Sequence, residues 1–154
     1  MDVLSSYDAV VIERASIDEA YVDLTQHVKL YLEKKFPNPE NDPIACLNAI
    51  DKTYLEGSFP FGFESSTAWF EHLESTELIQ FEDVKLAVGA EIVGRMRKDI
   101  LEKTGFKCSA GIAHNKVMLM ETGNSVGALI QGHYLIQCGI ETFTGVGKVG
   151  CWNA

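Results

Sequence analysis

Apolar residues recur along this chain with two different periods, and the changes of period mark its elements. The run Ala9-Val10-Val11-Ile12-Glu13-Arg14 is rich in β-branched residues, and Ala20-Tyr21-Val22-Asp23-Leu24 alternates with period two. Together they predict a β-hairpin. Alternation directs Ala20, Val22 and Leu24 to a core and Tyr21 and Asp23 to the opposite face. Residues 26–36 predict a helix, which Pro37-Asn38-Pro39 stops because proline lacks an amide donor and restricts the residue before it. From Glu40 to Gln80 the patterning is weak. Glu56-Gly57-Ser58-Phe59-Pro60-Phe61-Gly62-Phe63 reads as a loop, and Ser66 to Glu74 as a short helix carrying Trp69, Phe70 and Leu73. The whole stretch is expected to be an excursion from the fold.

The strongest periodic signal runs from Asp83 to Lys103. Val84, Val88, Ile92, Met96 and Ile100 recur every four residues, and Ala87, Val93 and Leu101 widen the stripe. Glu82 and Asp83 favour the start of this helix, Lys98 and Lys103 favour its end, and Gly105 suits its C-terminal cap. Gly89 and Gly94 cost about 1 kcal/mol each against alanine inside a helix, and tight packing on a sheet is their expected reason. A strand of small residues, Lys107-Cys108-Ser109-Ala110-Gly111-Ile112-Ala113, follows, and His114-Asn115-Lys116 leads out of it.

Composition narrows the function classes. The 154 residues carry 22 acidic against 13 basic side chains, a formal net charge of −9, so the chain as a whole is not a nucleic-acid clamp and any DNA contact is local. The longest weakly charged stretch, Ser125 to Ile140, is too short and too polar to span a membrane, and no basic region precedes an apolar run at the N-terminus. A soluble intracellular protein with no membrane partner is expected. Cys46, Cys108, Cys138 and Cys151 form no C-x-x-C pair and are expected to be reduced core thiols. The four histidines lack the spacing of a metal site. After Lys116 the character changes, because residues 117–154 hold only Glu121, Glu141 and Lys148 as formal charges together with 7 of the 13 glycines.

Asp18 and Glu19 are the residues with candidate chemistry. Adjacent carboxylates in a regular strand point to opposite faces, but at a hairpin end the alternation lapses and both can converge on a hard cation such as Mg²⁺. Glu13-Arg14-Ala15-Ser16-Ile17-Asp18-Glu19-Ala20-Tyr21-Val22-Asp23-Leu24-Thr25 resembles the catalytic-palm motif of the Y-family translesion DNA polymerases. Thr104-Gly105-Phe106-Lys107-Cys108-Ser109-Ala110-Gly111-Ile112-Ala113-His114-Asn115-Lys116-Val117 resembles that family's later palm strand and the helix entry after it. Thr53-Tyr54-Leu55-Glu56-Gly57, the Trp69-Phe70 neighbourhood and Val88-Gly89-Ala90 are similar to its eta branch.

The resemblance implies an α/β (α+β) fold, an incomplete ferredoxin-like palm whose antiparallel sheet is packed with amphipathic helices. Residues 1–117 are then a partial palm and residues 118–154 a divergent Gly-rich tail. It also implies template-directed nucleotidyl transfer opposite damaged bases, with Asp18 and Glu19 as catalytic, Mg²⁺-binding carboxylates, Lys116 near the DNA backbone, DNA primer-template and deoxynucleoside triphosphates as partners, and the nucleus as location. Arg14 and Ser16 match the motif as residues that shape the hairpin. The family's first aspartate-bearing strand and its fingers domain have no match before residue 9, and Met118-Leu119-Met120-Glu121-Thr122 replaces the family's later lysine-bearing helix. The chain therefore reads as a fragment, expected to be inactive alone, and the alternative is a truncated or mis-spliced product that binds a partner or has no function. In the family the missing strand lies between the hairpin and the strand at 107–113. Without it two edges are open, so the tail fills the gap, with Gly132 to Gln137 the candidate segment, or the protein self-associates through those edges or stays partly disordered. A nucleotide cyclase on a similar core would carry Gly-Gly-Asp-Glu-Phe where this turn reads Ser16-Ile17-Asp18-Glu19-Ala20.

Overall fold

The computed structural model describes residues 2–14, 19–55, 66–75 and 79–113, together with the strand at 135–141. Its elements in chain order are α1 (Asp2–Ser5), β1 (Val11–Arg14), β2 (Glu19–Asp23), α2 (Thr25–Lys35), α3 (Pro43–Asn48), a 3-10 turn (Lys52–Tyr54), α4 (Ser66–Ser75), α5 (Phe81–Thr104), β3 (Lys107–Ala113) and β4 (Leu135–Glu141). This is the expected mixed α/β architecture of a partial polymerase palm.

The local chemistry at the element ends accounts for most boundaries. The Asp23 carboxylate accepts from the Thr25 amide at 2.9 Å, which turns the chain from β2 into α2, and α2 ends at Lys35 just before Pro37. The Asp42 carboxylate accepts from the Ala45 amide at 3.0 Å and Pro43 takes the first helical position, so α3 has both parts of a strong start. At the head of α5 the Asp83 carboxylate accepts from the Gln80 amide at 3.1 Å, and at its foot Gly105 adopts φ 74°, where its amide closes on the Leu101 carbonyl at 2.8 Å.

The sheet order is β1-β2-β4-β3, with every neighbouring pair antiparallel. β4 comes from the tail and fills the gap between β2 and β3, forming at Leu135–Glu141, so that it overlaps the expected segment Gly132 to Gln137 at residues 135–137 and runs on beyond it. The two edges that would have been open are therefore paired within the chain. α5 is the hub of the helical layer: it lies on β3 and receives α1, α2, α3 and the 3-10 turn. Phe70, Leu24, Leu32, Leu47, Met96, Val22, Val28 and Val84 are fully buried between these elements.

Three expectations change. The described parts of the stretch from Glu40 to Gln80 contribute to the core, since Cys46, Leu47, Ile50, Leu55, Trp69, Phe70 and Leu73 all belong to the buried cluster. Leu101 is not in the apolar stripe of α5 but 40% exposed at its end. The helical glycines face helices and turns instead of a sheet. A Cβ on Gly94 would lie 2.1 Å from the Tyr54 carbonyl oxygen, and one on Gly89 would meet Val28 Cγ2 at 4.0 Å. Cys46 and Cys108 are buried thiols as expected, and Cys138 and Cys151 lie outside the described side chains. Among the described residues no helix is long and apolar enough to cross a membrane.

The N-terminal turn is tied to α5 by a long-range hydrogen bond. The Tyr7 hydroxyl donates to the Asp99 carboxylate at 2.5 Å. Burial, and then this bond, push the Tyr7 phenol well above its ordinary range. A folded-state pKa above the unfolded value means that the stabilisation is fully present below about pH 10 and is lost as pH rises beyond it. Tyr7→Phe is expected to flatten the alkaline limb of the stability profile. Equal alkaline slopes in both proteins would show that Tyr7 ionises freely in the native state.

Candidate functional site

The β1–β2 hairpin is the frame on which the candidate carboxylates sit. Val11 pairs with Asp23, Ile12 with Val22, Glu13 with Tyr21 and Arg14 with Ala20. Burial of Ala20, Val22 and Leu24 locks β2 in this register, because a slip of one residue would turn that set away from the core. Tyr21 is also buried, at 8% exposure, so β2 is covered on both sides and simple alternation understates it. Asp23 is half-buried and spends its carboxylate on the start of α2.

Glu19 is the first residue of β2, with Gly139 of β4 as its partner, and Gly139 is in turn the partner of Ser109 on β3. Asp18 and the turn residues 15–17 lie outside the described residues, and of Glu19 only the backbone is described. Lys116 is likewise outside them. The strand before it ends at Ala113, which is aligned through Leu135 with Asp23, at the opposite end of β2 from Glu19. That separation is about 13 Å along the sheet at the ordinary rise of a strand. Sequence reading counted Glu141 merely as a charge in the tail. Topology sets it two residues beyond the Glu19 partner on the central strand, with Lys107 as its own register partner.

Among the described residues no group of three or more histidine, cysteine, aspartate or glutamate side chains could hold a metal ion. His27 belongs to the packing of the N-terminal turn, with Nδ1 2.6 Å from the Asp8 carbonyl oxygen and its ring edge-on to Tyr7. Among the described residues the buried carboxylate is Glu91 on α5, 1% exposed, whose Oε1 accepts from Arg95 Nε at 3.1 Å and Nη2 at 2.7 Å and from the Tyr31 hydroxyl at 3.3 Å. Arg95 also stacks on the Tyr54 ring, 4.3 Å from its centroid. This cluster joins α2, α5 and the 3-10 turn, and its role is structural. Sequence reading missed it because a single glutamate on the buried face of an amphipathic helix carries no motif.

Comparison with known proteins settles the ancestry. The model of the impB/mucB/samB family matches residues 1–118, a span that takes in both quoted motifs. The chain belongs to this family. Members of this family are Y-family polymerase domains. The chain is 36% identical over 110 residues to DNA polymerase eta of Arabidopsis thaliana, covering 69% of this chain and 15% of that protein. It is 28% identical over 120 residues to DNA polymerase eta of Drosophila melanogaster, covering 70% of this chain and 14% of that protein. Against human DNA polymerase iota the identity is 26% over 108 residues, covering 70% of this chain and 12% of that protein. The chain thus spans about one-seventh of the length of the eta polymerases it matches.

Proposed function

We propose that this chain is the palm segment of an error-prone translesion DNA polymerase, in which Asp18 and Glu19 hold Mg²⁺ at the hairpin end. Its partners are DNA primer-template and deoxynucleoside triphosphates, and its place is the nucleus. The observation that carries the reading is that Glu19 opens β2 beside the central strand, within a hairpin whose register the core fixes. The donor chemistry suits the ion, since two adjacent carboxylates supply the hard oxygens that Mg²⁺ takes, with substrate phosphates completing its shell. Bound there, Mg²⁺ would polarise the phosphoryl group and lower the pKa of the attacking hydroxyl. Lys116 would offer a cation to a backbone phosphate.

Two carboxylates alone hold the ion weakly, so the isolated chain is inactive in this reading. Manganese titration of the full chain, followed by electron paramagnetic resonance, is expected to show weak binding that falls at least ~10-fold in Asp18→Ala and in Glu19→Ala, because affinity follows the ligand charge count. Unchanged binding in both variants removes the site assignment. Templated incorporation in a primer-extension assay, abolished by Asp18→Ala, overturns the inactivity.

One observation favours a second reading. β4 takes the central place in the sheet that the family resemblance gives to the strand bearing the first metal-binding aspartate. A truncated or mis-spliced product of a polymerase gene, acting as a non-catalytic binding module, would be built this way. Transcript sequence across the junction after Val117 separates the two.

A further inference from the structure

The step from α1 to β1 is made in a backbone conformation that its residue does not favour. Ala9 adopts φ 56°, which among the described residues makes it the non-glycine position at positive φ. There the Cβ of an L-residue crowds the following carbonyl oxygen, so the conformation persists only where neighbouring contacts fix it. Such contacts lie on both sides of Ala9. Just before it, the Tyr7 hydroxyl donates to the Asp99 carboxylate of α5 at 2.5 Å, and the Asp8 carbonyl accepts from His27 Nδ1 of α2 at 2.6 Å. The Tyr7 and His27 rings also meet edge-on, with centroids 5.8 Å apart. Further upstream, Val3 and Leu4 of α1 are buried in the core, where α1 lies on α5. Just after Ala9, Val10 packs against the same core and leads into β1.

We propose that residues 2–9 form a sprung strap, which opens as a unit about Ala9 while the helices and sheet beneath it stay folded. The strain and the contacts act in opposite directions. Closing the strap holds Ala9 in the left-handed region, and opening lets it return to the extended conformation that alanine prefers. Opening therefore costs less than the loss of the contacts alone would require. A short unit loaded in this way belongs to the part of a fold that opens below the global unfolding energy. The open strap withdraws Val3 and Leu4 from α5 and frees the lead-in to β1, so a hinge of one residue governs how firmly the first strand of the hairpin is held at its root. A glycine at the hinge carries no Cβ to crowd the carbonyl, so it makes the strap close more firmly. The inference is independent of any cation at Asp18 and Glu19.

Limited proteolysis of the full chain with chymotrypsin tests it. The cut after residue 7 is read by mass, and its rate is divided by that of the matching free peptide of residues 2–14. At low protease this ratio follows the population of the open strap. The native protein is expected to be cut there at least about tenfold more often than its global unfolding equilibrium, measured by urea melts, allows. Ala9→Gly is expected to slow the cut about fivefold, because the closed strap is no longer strained. Tyr7→Phe keeps an aromatic residue at the cleavage point and loses the bond to Asp99, so it is expected to speed the cut about fivefold. The proposal is overturned if cutting merely tracks global unfolding, if Ala9→Gly leaves the rate unchanged or raises it as an added glycine in an unstrained loop would, or if Tyr7→Phe has no effect.

Discussion

Gly94→Ala is expected to destabilise the protein by roughly 2–3 kcal/mol and to lower its melting temperature by about 10 °C, an overpacking effect. The added methyl would sit 2.1 Å from the Tyr54 carbonyl oxygen and 2.7 Å from Tyr54 Cβ. Both belong to the 3-10 turn or its stem, so relief demands a shift of backbone and not a rotamer change. The turn is itself held by the Asp51 carboxylate, which accepts from the Thr53 amide at 3.1 Å and hydroxyl at 2.7 Å. Gly89→Ala, five residues earlier on the same helix, has the opposite expected sign. Its new Cβ meets only Val28 Cγ2 at ordinary contact distance, so the gain in helix propensity, about 0.5–1 kcal/mol, is left uncancelled. Urea melts of the two variants with unchanged m-values decide the matter. Shifts of the same sign would show that α5 does not pack on the 3-10 turn as described.

The pair of glycines also marks where sequence patterning stops being informative. The existence of α5, its Gly105 cap and the strand Lys107–Ala113 follow from spacing alone, because each depends on interactions within a few residues. Why Gly94 must be glycine depends on a turn forty residues away, and no local pattern encodes that contact. α3 went unseen for a related reason: six residues, Pro43–Asn48, are too few to show a period, although Asp42-Pro43 at its head is a legible start signal. Tyr21 and Leu101 deviate from their stripes in opposite senses, one buried on the outer side of its strand and the other exposed at a helix end. In both cases tertiary cover, or its lack at a frayed boundary, overrides periodicity.

The candidate site divides along the same line. The hairpin and its core-facing residues were legible from alternation, and the family from two motifs with matching intervening residues, which the family match over residues 1–118 bears out. The strand that completes the sheet was legible as a need, since an edge left open must be paired, and its place only in part, since the expected segment Gly132 to Gln137 shares residues 135–137 with β4. That Leu135–Glu141 meets it, with a glycine beside Glu19, is a matter of pairing between segments more than one hundred residues apart.

Arg95→Met is expected to cost about 3–5 kcal/mol, because it strands a carboxylate that cannot return to water. Glu91 is 1% exposed, its Oε1 depends on the guanidinium, and its Oε2 has no hydrogen-bond partner among the described residues. The Arg95 side chain, by contrast, is 42% exposed. The two halves of the pair are therefore unequal. Glu91→Leu removes the buried charge and leaves an arginine that water can solvate, so its expected effect is within about 1 kcal/mol of neutral. The stacking of Arg95 on Tyr54 contributes about 0.5–1 kcal/mol at such an exposed position, too little to account for the larger loss. In the double variant Arg95→Met/Glu91→Leu most of the stability is expected to return, giving a coupling of roughly 2–3 kcal/mol in the double-mutant cycle. A double variant as unstable as Arg95→Met alone would transfer the effect from the stranded charge to the packing of the arginine stem against the 3-10 turn.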